Sequence, residues 1–213
     1  MSNEVNADPR RLGRPTREDA AGLAQTILDG AFRIFCDQGY AASMDEIAAA
    51  IGMSKLTIYR RFPSKEALLI AVIDDALATY AQTIFDVGNG DQTPMAALKS
   101  AAWLMFDMGL MPDSIRLSRL LITVAATNAQ LRDRLEDWES LANAPVIERI
   151  RAAQANGDIV PGDPALLAVI LRDLLRGLAW TVRHLDRALP DAESATAYFD
   201  ARWAFFEQAV QVR

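Results

Sequence analysis

Residues 43–62 read SMDEIAAAIGMSKLTIYRRF, and this stretch decides the fold. Ser43 is followed three residues later by Glu46, the spacing of a capping box. In that motif the serine hydroxyl and the glutamate carboxylate each satisfy a backbone N–H left open at a helix start. A short helix is therefore expected from Met44 to Ile51, stopped by Gly52. Ser54 caps a second short helix, from Lys55 to about Arg61. Two short helices joined by a glycine-containing turn cannot bury enough surface alone and need a third as a platform. The preceding residues supply it. Leu23, Ile27, Ala31, Ile34 and Phe35 recur at spacings of three and four between about Arg17 and Gln38, and Gly39 ends the run.

This arrangement is a helix-turn-helix, whose second helix lies in the major groove of DNA. Such a helix needs an apolar inner face and a polar or basic outer face. Leu56, Ile58 and Tyr59 can pack or brace, which leaves Ser54, Lys55, Thr57, Arg60 and Arg61 to face phosphates or base edges. The open N–H groups behind the Ser54 cap also suit a phosphate. A solvated basic face on a small hairpin explains each residue singly, but the complete string far less well.

The whole chain carries a net charge of −6, which looks wrong for a DNA binder until it is mapped. Residues 1–70 hold nine Lys/Arg and nine Asp/Glu, whereas residues 71–213 hold thirteen and nineteen, so all the excess acid lies in the second part. Within the first part, Arg10, Arg11, Arg14 and Arg17 form one cluster, and Lys55, Arg60, Arg61 and Lys65 form another. Phosphate binding responds to such local clusters rather than to overall charge. The partition suggests two domains with different partners.

Composition points to an all-α protein. Alanine and leucine dominate, β-branched runs are few, and the prolines are read as lying between helices rather than inside them. No run approaches the ~18 consecutive apolar residues of a membrane span, and MSNEVNADPRRLGRP lacks the apolar centre of a signal peptide. The single Cys36 rules out an internal disulfide and fits a reducing cytoplasm. With one histidine as well, the chain argues against an ordinary zinc site, and no metal or cofactor is expected.

The organisation follows. Residues 1–16 form a basic flexible arm, 17–64 the DNA-binding unit, and 65–213 an effector-binding and dimerisation domain. Pro63-Ser64-Lys65-Glu66 opens a long apolar helix through Leu68, Leu69, Val72, Ile73, Leu77 and Tyr80. Further helices are expected at about 94–110, 113–128, 131–156, 163–188 and 192–211, with breaks at Gly, Pro and Asn positions.

At this point the chain resembles the tetracycline-repressor (TetR) family. The carrying residues are Ser43, Ile47-Ala48, Ile51-Gly52-Met53-Ser54-Lys55, Ile58-Tyr59, Phe62, Lys65-Glu66 and Leu68, preceded by Ala31-Phe32, Phe35 and Gly39-Tyr40. The likeness covers about Arg14 to Ile73. Ile51 and Arg61 depart from the residues common there, alanine and histidine. The resemblance implies that Tyr59 and Lys65 contact phosphates, that Lys55, Thr57 and Arg60 approach bases or adjacent backbone, and that Ser43 caps its helix and touches phosphate. Met44, Ile47, Ala48, Phe62 and Leu68 read as core. The arm around Arg14 is similar to extensions that enter a neighbouring minor groove; a solubilising tail explains its composition equally well. A single short reading helix implies a dimer on a pseudo-palindrome, with half-sites about one DNA turn apart.

Beyond residue 93 no catalytic constellation is present, and the lone His184 reads as structural. The chain is therefore not expected to be an enzyme. Trp103, Met105, Phe106, Met108 and Met111 make a soft aromatic–methionine stretch that suits an apolar effector pocket, or equally an ordinary core. Leu120, Val124 and Asn128, with Trp138, Leu175 and Trp180, are further lining candidates. Ser114–Leu120 and Asn156–Pro164 resemble the effector domains of a multidrug-regulator branch of the same family. For the last two helices the resemblance implies pairing with their mates as a four-helix bundle. Leu174, Gly177, Leu178, Phe199, Trp203 and Phe206 are then the interface candidates; the same apolar faces would equally form an internal core.

The function expected is a ligand-responsive, dimeric repressor that binds double-stranded operator DNA and is released by a small hydrophobic molecule. The rivals are an enzyme with an accessory DNA-binding head and a sequence-nonspecific structural DNA binder.

Overall fold

The structure is a computed structural model that describes residues 17–87, 90, 92–185 and 188–212. Ten α-helices account for nearly all of these. They are α1 (Arg17–Gln38), α2 (Met44–Ala50), α3 (Lys55–Tyr59), α4 (Lys65–Asp86), α5 (Pro94–Leu110), α6 (Pro112–Thr127), α7 (Ala129–Asp133), α8 (Leu135–Ala155), α9 (Pro164–Leu185) and α10 (Ala192–Val210). The all-α reading holds, and among the described residues the only extended pairing is an isolated bridge between Ile159 and Gln211.

Local chemistry sets the boundaries. Ser43, Ser54, Ser64, Thr93, Asn128 and Asp191 each accept a backbone N–H through the side chain at a helix start. Gly39 and Gly52 follow α1 and α2 at φ 71° and 66°, left-handed conformations that L side chains rarely adopt. Two expectations fail in α7–α8. The segment expected as one helix is broken at Arg134, where neither glycine nor proline marks the change. Pro145, expected between helices, lies inside α8. Its missing N–H costs the Leu141 carbonyl a helical partner, and Leu141 is exposed, so water can take that bond.

Two apolar cores are formed. The lower one holds Ile27, Ala31 and Phe35 of α1, Met44, Ile47 and Ala48 of α2, Ile58 of α3 and Leu68, Leu69, Val72 and Ile73 of α4. Leu120 and Val124 of α6, Leu131 of α7 and Trp138 of α8 complete it. The upper core joins the end of α4 to α5, α8, α9 and α10. The division drawn at residue 64 is therefore not a division of the core. The head shares its interior with the first half of α4 and with α6. By length and mean hydropathy α4 could cross a membrane, but Leu68, Leu69, Val72, Ile73 and Ile84 are buried in the two cores.

Candidate nucleic-acid interface and effector cavity

The capping box is complete: the Ser43 N–H donates to Glu46 Oε2 at 2.7 Å, and the Glu46 N–H donates to Ser43 Oγ at 3.2 Å. These bonds, the backbone one first, hold the Glu46 carboxyl below its usual range. Ser54 Oγ accepts from the Thr57 N–H at 3.1 Å and pairs with Thr57 Oγ1 at 2.8 Å, which pulls Thr57 toward its own cap. Ile58 is fully buried and anchors α3. The outward face then carries Ser54, Lys55, Leu56, Tyr59, Arg60 and Arg61, all exposed.

Leu56 corrects the sequence reading. Expected to pack or brace, it is 60% exposed on the outward face of α3. A leucine so exposed offers an apolar contact of the kind a thymine methyl group makes. Lys55 pairs with Asp45 at 2.9 Å, and that bond raises its pKa above the ordinary lysine value. Lys65, expected on a phosphate, donates to the Tyr40 carbonyl at 2.7 Å and the Ala42 carbonyl at 3.2 Å, with its ammonium 4.2 Å from the Tyr40 ring centre. Two of its three donors are thus spent fastening α4 to the α1–α2 turn. Arg14 and the rest of the arm lie outside the described residues.

The second feature is a half-open cavity of about 450 Å³ lined by α4, α5, α6, α8 and α9 and by Phe32 of α1, within the range of small-molecule sites. Of the lining candidates, Phe106 and Met108 are on its wall, with Met105, Trp138 and Leu175. Trp103 is not; it sits in a shallow groove beside α10, edge-on to Phe199 at 5.0 Å. Leu120 and Val124 face the lower core instead. Asn128 accepts from the Leu131 N–H at 3.1 Å and donates to Glu66, so it is a cap and a strut to α4. The side chains of Trp180 and His184 lie outside the described residues. Sequence reasoning missed the polar wall: Tyr80, Asn143, Arg172 and Arg176. No local pattern distinguishes these from surface residues, because their meeting depends on how three helices pack.

Helix α6, like α4 and α8, belongs to both features. Ser114, Leu117, Ser118 and Leu121 of α6 line the cavity, while Leu120 and Val124 of the same helix complete the core of the head. At its start, Arg116 reaches Asp37 of α1 at 3.3 Å. Cys36 Sγ approaches the Asp113 carbonyl at 3.9 Å. Burial, aided by the Asp113 charge, pushes the Cys36 thiol up to about 12, which leaves it inert.

The interface candidates on α9 and α10 also divide. Phe199, Trp203 and Phe206 are 1–2% exposed, filling the protomer's own core, and cannot meet a second chain. A Cβ on Gly177 would lie 2.6 Å from the Tyr198 hydroxyl, so its close approach is internal as well. Leu174 and Leu178 are half-buried against the same core. The large apolar groups left outward on the described parts of these helices are Leu166, Ile170 and Leu185 of α9 and Phe205 of α10, at 57%, 43%, 54% and 63% exposure.

Comparison with known proteins agrees with this arrangement. Residues 27–72 match the family model described as bacterial regulatory proteins, tetR family. The HTH-type transcriptional regulator YvaF of Bacillus subtilis (strain 168) is 36% identical over 65 residues, covering 30% of this chain and about a third (34%) of YvaF. The HTH-type transcriptional regulator UidR of Escherichia coli (strain K12) is 28% identical over 171 residues, 76% of this chain and 82% of UidR. A crystal structure from Mesorhizobium loti MAFF303099, described as a TetR-family transcriptional regulator, superposes with a TM-score of 0.80 at 24% identity, covering 92% of this chain and 100% of that one. At that identity the likeness speaks for the fold. The matched model thus assigns residues 27–72 to the DNA-binding head of the tetR family of bacterial regulatory proteins, and the superposition extends the likeness of fold to the rest of the chain.

Proposed function

We propose that this protein is a dimeric, sequence-specific DNA-binding regulator of the cytoplasm, acting as a repressor that leaves a palindromic operator when a small apolar molecule fills the cavity. The observation that carries the reading is the capped α2–α3 pair. It holds Ser54, Lys55, Leu56, Tyr59 and Arg60 outward on a helix anchored by Ile58. Arg61 lies beside them, and Lys65 braces the whole from behind. The outward Leu166, Ile170 and Phe205 supply an apolar patch for a two-fold partner, which would set two reading helices side by side.

Release follows from the shared helix. A ligand that displaces the Ser114–Leu121 wall of α6 also displaces Leu120 and Val124 in the head, and with them the platform α1. A preference of ~3 kcal/mol for the displaced state would weaken DNA binding about a hundredfold. The test is competition at fixed salt between a selected duplex and random-sequence DNA. A specific regulator prefers the selected duplex by ~10³-fold or more. Equal affinity for both returns the protein to nonspecific DNA binding.

A further inference from the structure

We propose that the effector is an anionic amphiphile whose carboxylate is held by Arg172, with its apolar body along Phe106 and Leu121. This rests on reading the cavity as the effector site, and it assigns the chemistry of the molecule that enters.

Arg172 is the deep charge of the cavity wall, its side chain only 16% exposed. Its Nε is buried and has no hydrogen-bond partner. The nearest carboxylates are Glu139 at 3.8 Å and Asp173 at 3.7 Å, both beyond hydrogen-bonding distance, and both side chains are more than half exposed. A guanidinium offers five N–H donors in a planar fork, and leaving its buried Nε–H without an acceptor is costly. Such a cost persists where a ligand collects it.

The neighbouring groups add neutral hydrogen-bond donors. Asn143 is 6% exposed, lines the cavity and has no hydrogen bond among the described residues. Tyr80 lines it from α4, and burial keeps its phenol protonated against the pull of Arg172 and Arg176, so it remains a donor. Two carboxylates face the cavity. Asp113 is engaged by Arg116 at 3.0 Å. Glu139, at the mouth, lies between two guanidiniums, at 3.8 Å from Arg172 and 3.9 Å from Arg176. Both carboxylates thus lie within ion-pair distance of arginines, while the buried Arg172 Nε–H has no acceptor. An Arg fork matches a carboxylate in two parallel hydrogen bonds, which adds direction as well as strength.

The experiment titrates the full chain with decanoate, 1-decanol and decyltrimethylammonium, below micelle formation and at fixed ionic strength, by calorimetry. Decanoate is expected to bind at least about tenfold more tightly than decanol. Arg172→Gln should erase that preference while decanol binding persists, and Arg172→Lys should keep part of it. The melting temperature of the ligand-free protein should be unchanged or raised in Arg172→Gln, a result that a stabilising Arg172–Glu139 pair would not give. Equal binding of decanoate and decanol, or tightest binding of the cation, overturns the assignment of charge and leaves the cavity as an effector site. Binding of none of the three, or binding untouched by Ala142→Phe in the cavity wall, overturns the effector-site reading itself.

Discussion

Trp138 Nε1 donates to Asp74 Oδ1 at 2.7 Å, and this one bond ties the cavity wall to the helix that carries the reading head. Arg134 holds the same carboxylate at 3.0 and 3.1 Å, and its guanidinium lies 5.6 Å from the Trp138 ring centre. Asp74 is therefore coupled to the position of an indole on the cavity wall. Nine residues earlier on α4, Lys65 is fixed to the α1–α2 turn. Trp138→Phe keeps the ring and removes the donor. Operator affinity without ligand should be nearly unchanged, while the ligand's effect on it should fall by roughly 0.5–2 kcal/mol. Fluorescence anisotropy with a labelled operator, with and without ligand, reads both quantities.

The exposed Leu56 and Arg60 separate two kinds of contact. Leu56→Ala should cost about 1 kcal/mol on the selected duplex and little on random DNA, as expected for contact with a thymine methyl. If Arg60 touches only phosphate, Arg60→Ala should weaken both duplexes alike; if it reads a base, the selected duplex should suffer more. With ~4 phosphates neutralised per protomer, log affinity against log salt should have a slope on the order of −7. A slope near zero would leave the basic cluster without a role.

Gly30 and Ile51 constrain each other. A Cβ at Gly30 would lie 1.9 Å from Ile51 Cγ2, an overlap that a β-branched side chain relieves poorly. Gly30→Ala should therefore destabilise by about 1–3 kcal/mol through overpacking, despite the ~1 kcal/mol that alanine gains over glycine in a helix. In an Ile51→Ala background the same substitution should become neutral or stabilising. Urea unfolding of the four proteins of this cycle gives the coupling directly.

The Ser43–Glu46 box fixes the sign of one pH effect. Because the folded pKa of Glu46 is lowered, its contribution is present above the unfolded glutamate value and is lost as pH falls through the folded one. Unfolding midpoints of wild type and Glu46→Gln should therefore differ at neutral pH and converge in acid. Ser43→Ala, which removes the cap itself, should cost about 1 kcal/mol at neutral pH.

The head was legible because its signals are local. Ser43, Glu46, Gly52 and Ser54 each state a helix end within four residues, and the helices fall within a residue or two of the positions they predict. The cavity was only partly legible. Periodicity shows that Leu120 and Val124 are buried, but not which of two cores they meet, since α6 is walled on both sides. Phe199, Trp203 and Phe206 suffered the same ambiguity: an apolar face fits an internal core as well as a partner. Arg172 gave no signal at all, because an arginine on a helix is ordinarily solvated. Only the packing of α4, α8 and α9 makes it a buried charge.

The central claim is that the α2–α3 unit reads DNA as one half of a two-fold pair. Selection of bound duplexes from a random pool by the full-length protein tests it most directly. The account predicts enrichment of an inverted repeat with half-site centres about 34 Å apart, one turn of DNA, and a changed or lost preference in the double variant Leu56→Ala/Arg60→Ala. No enriched sequence, or an enriched sequence that the double variant selects equally well, would contradict it.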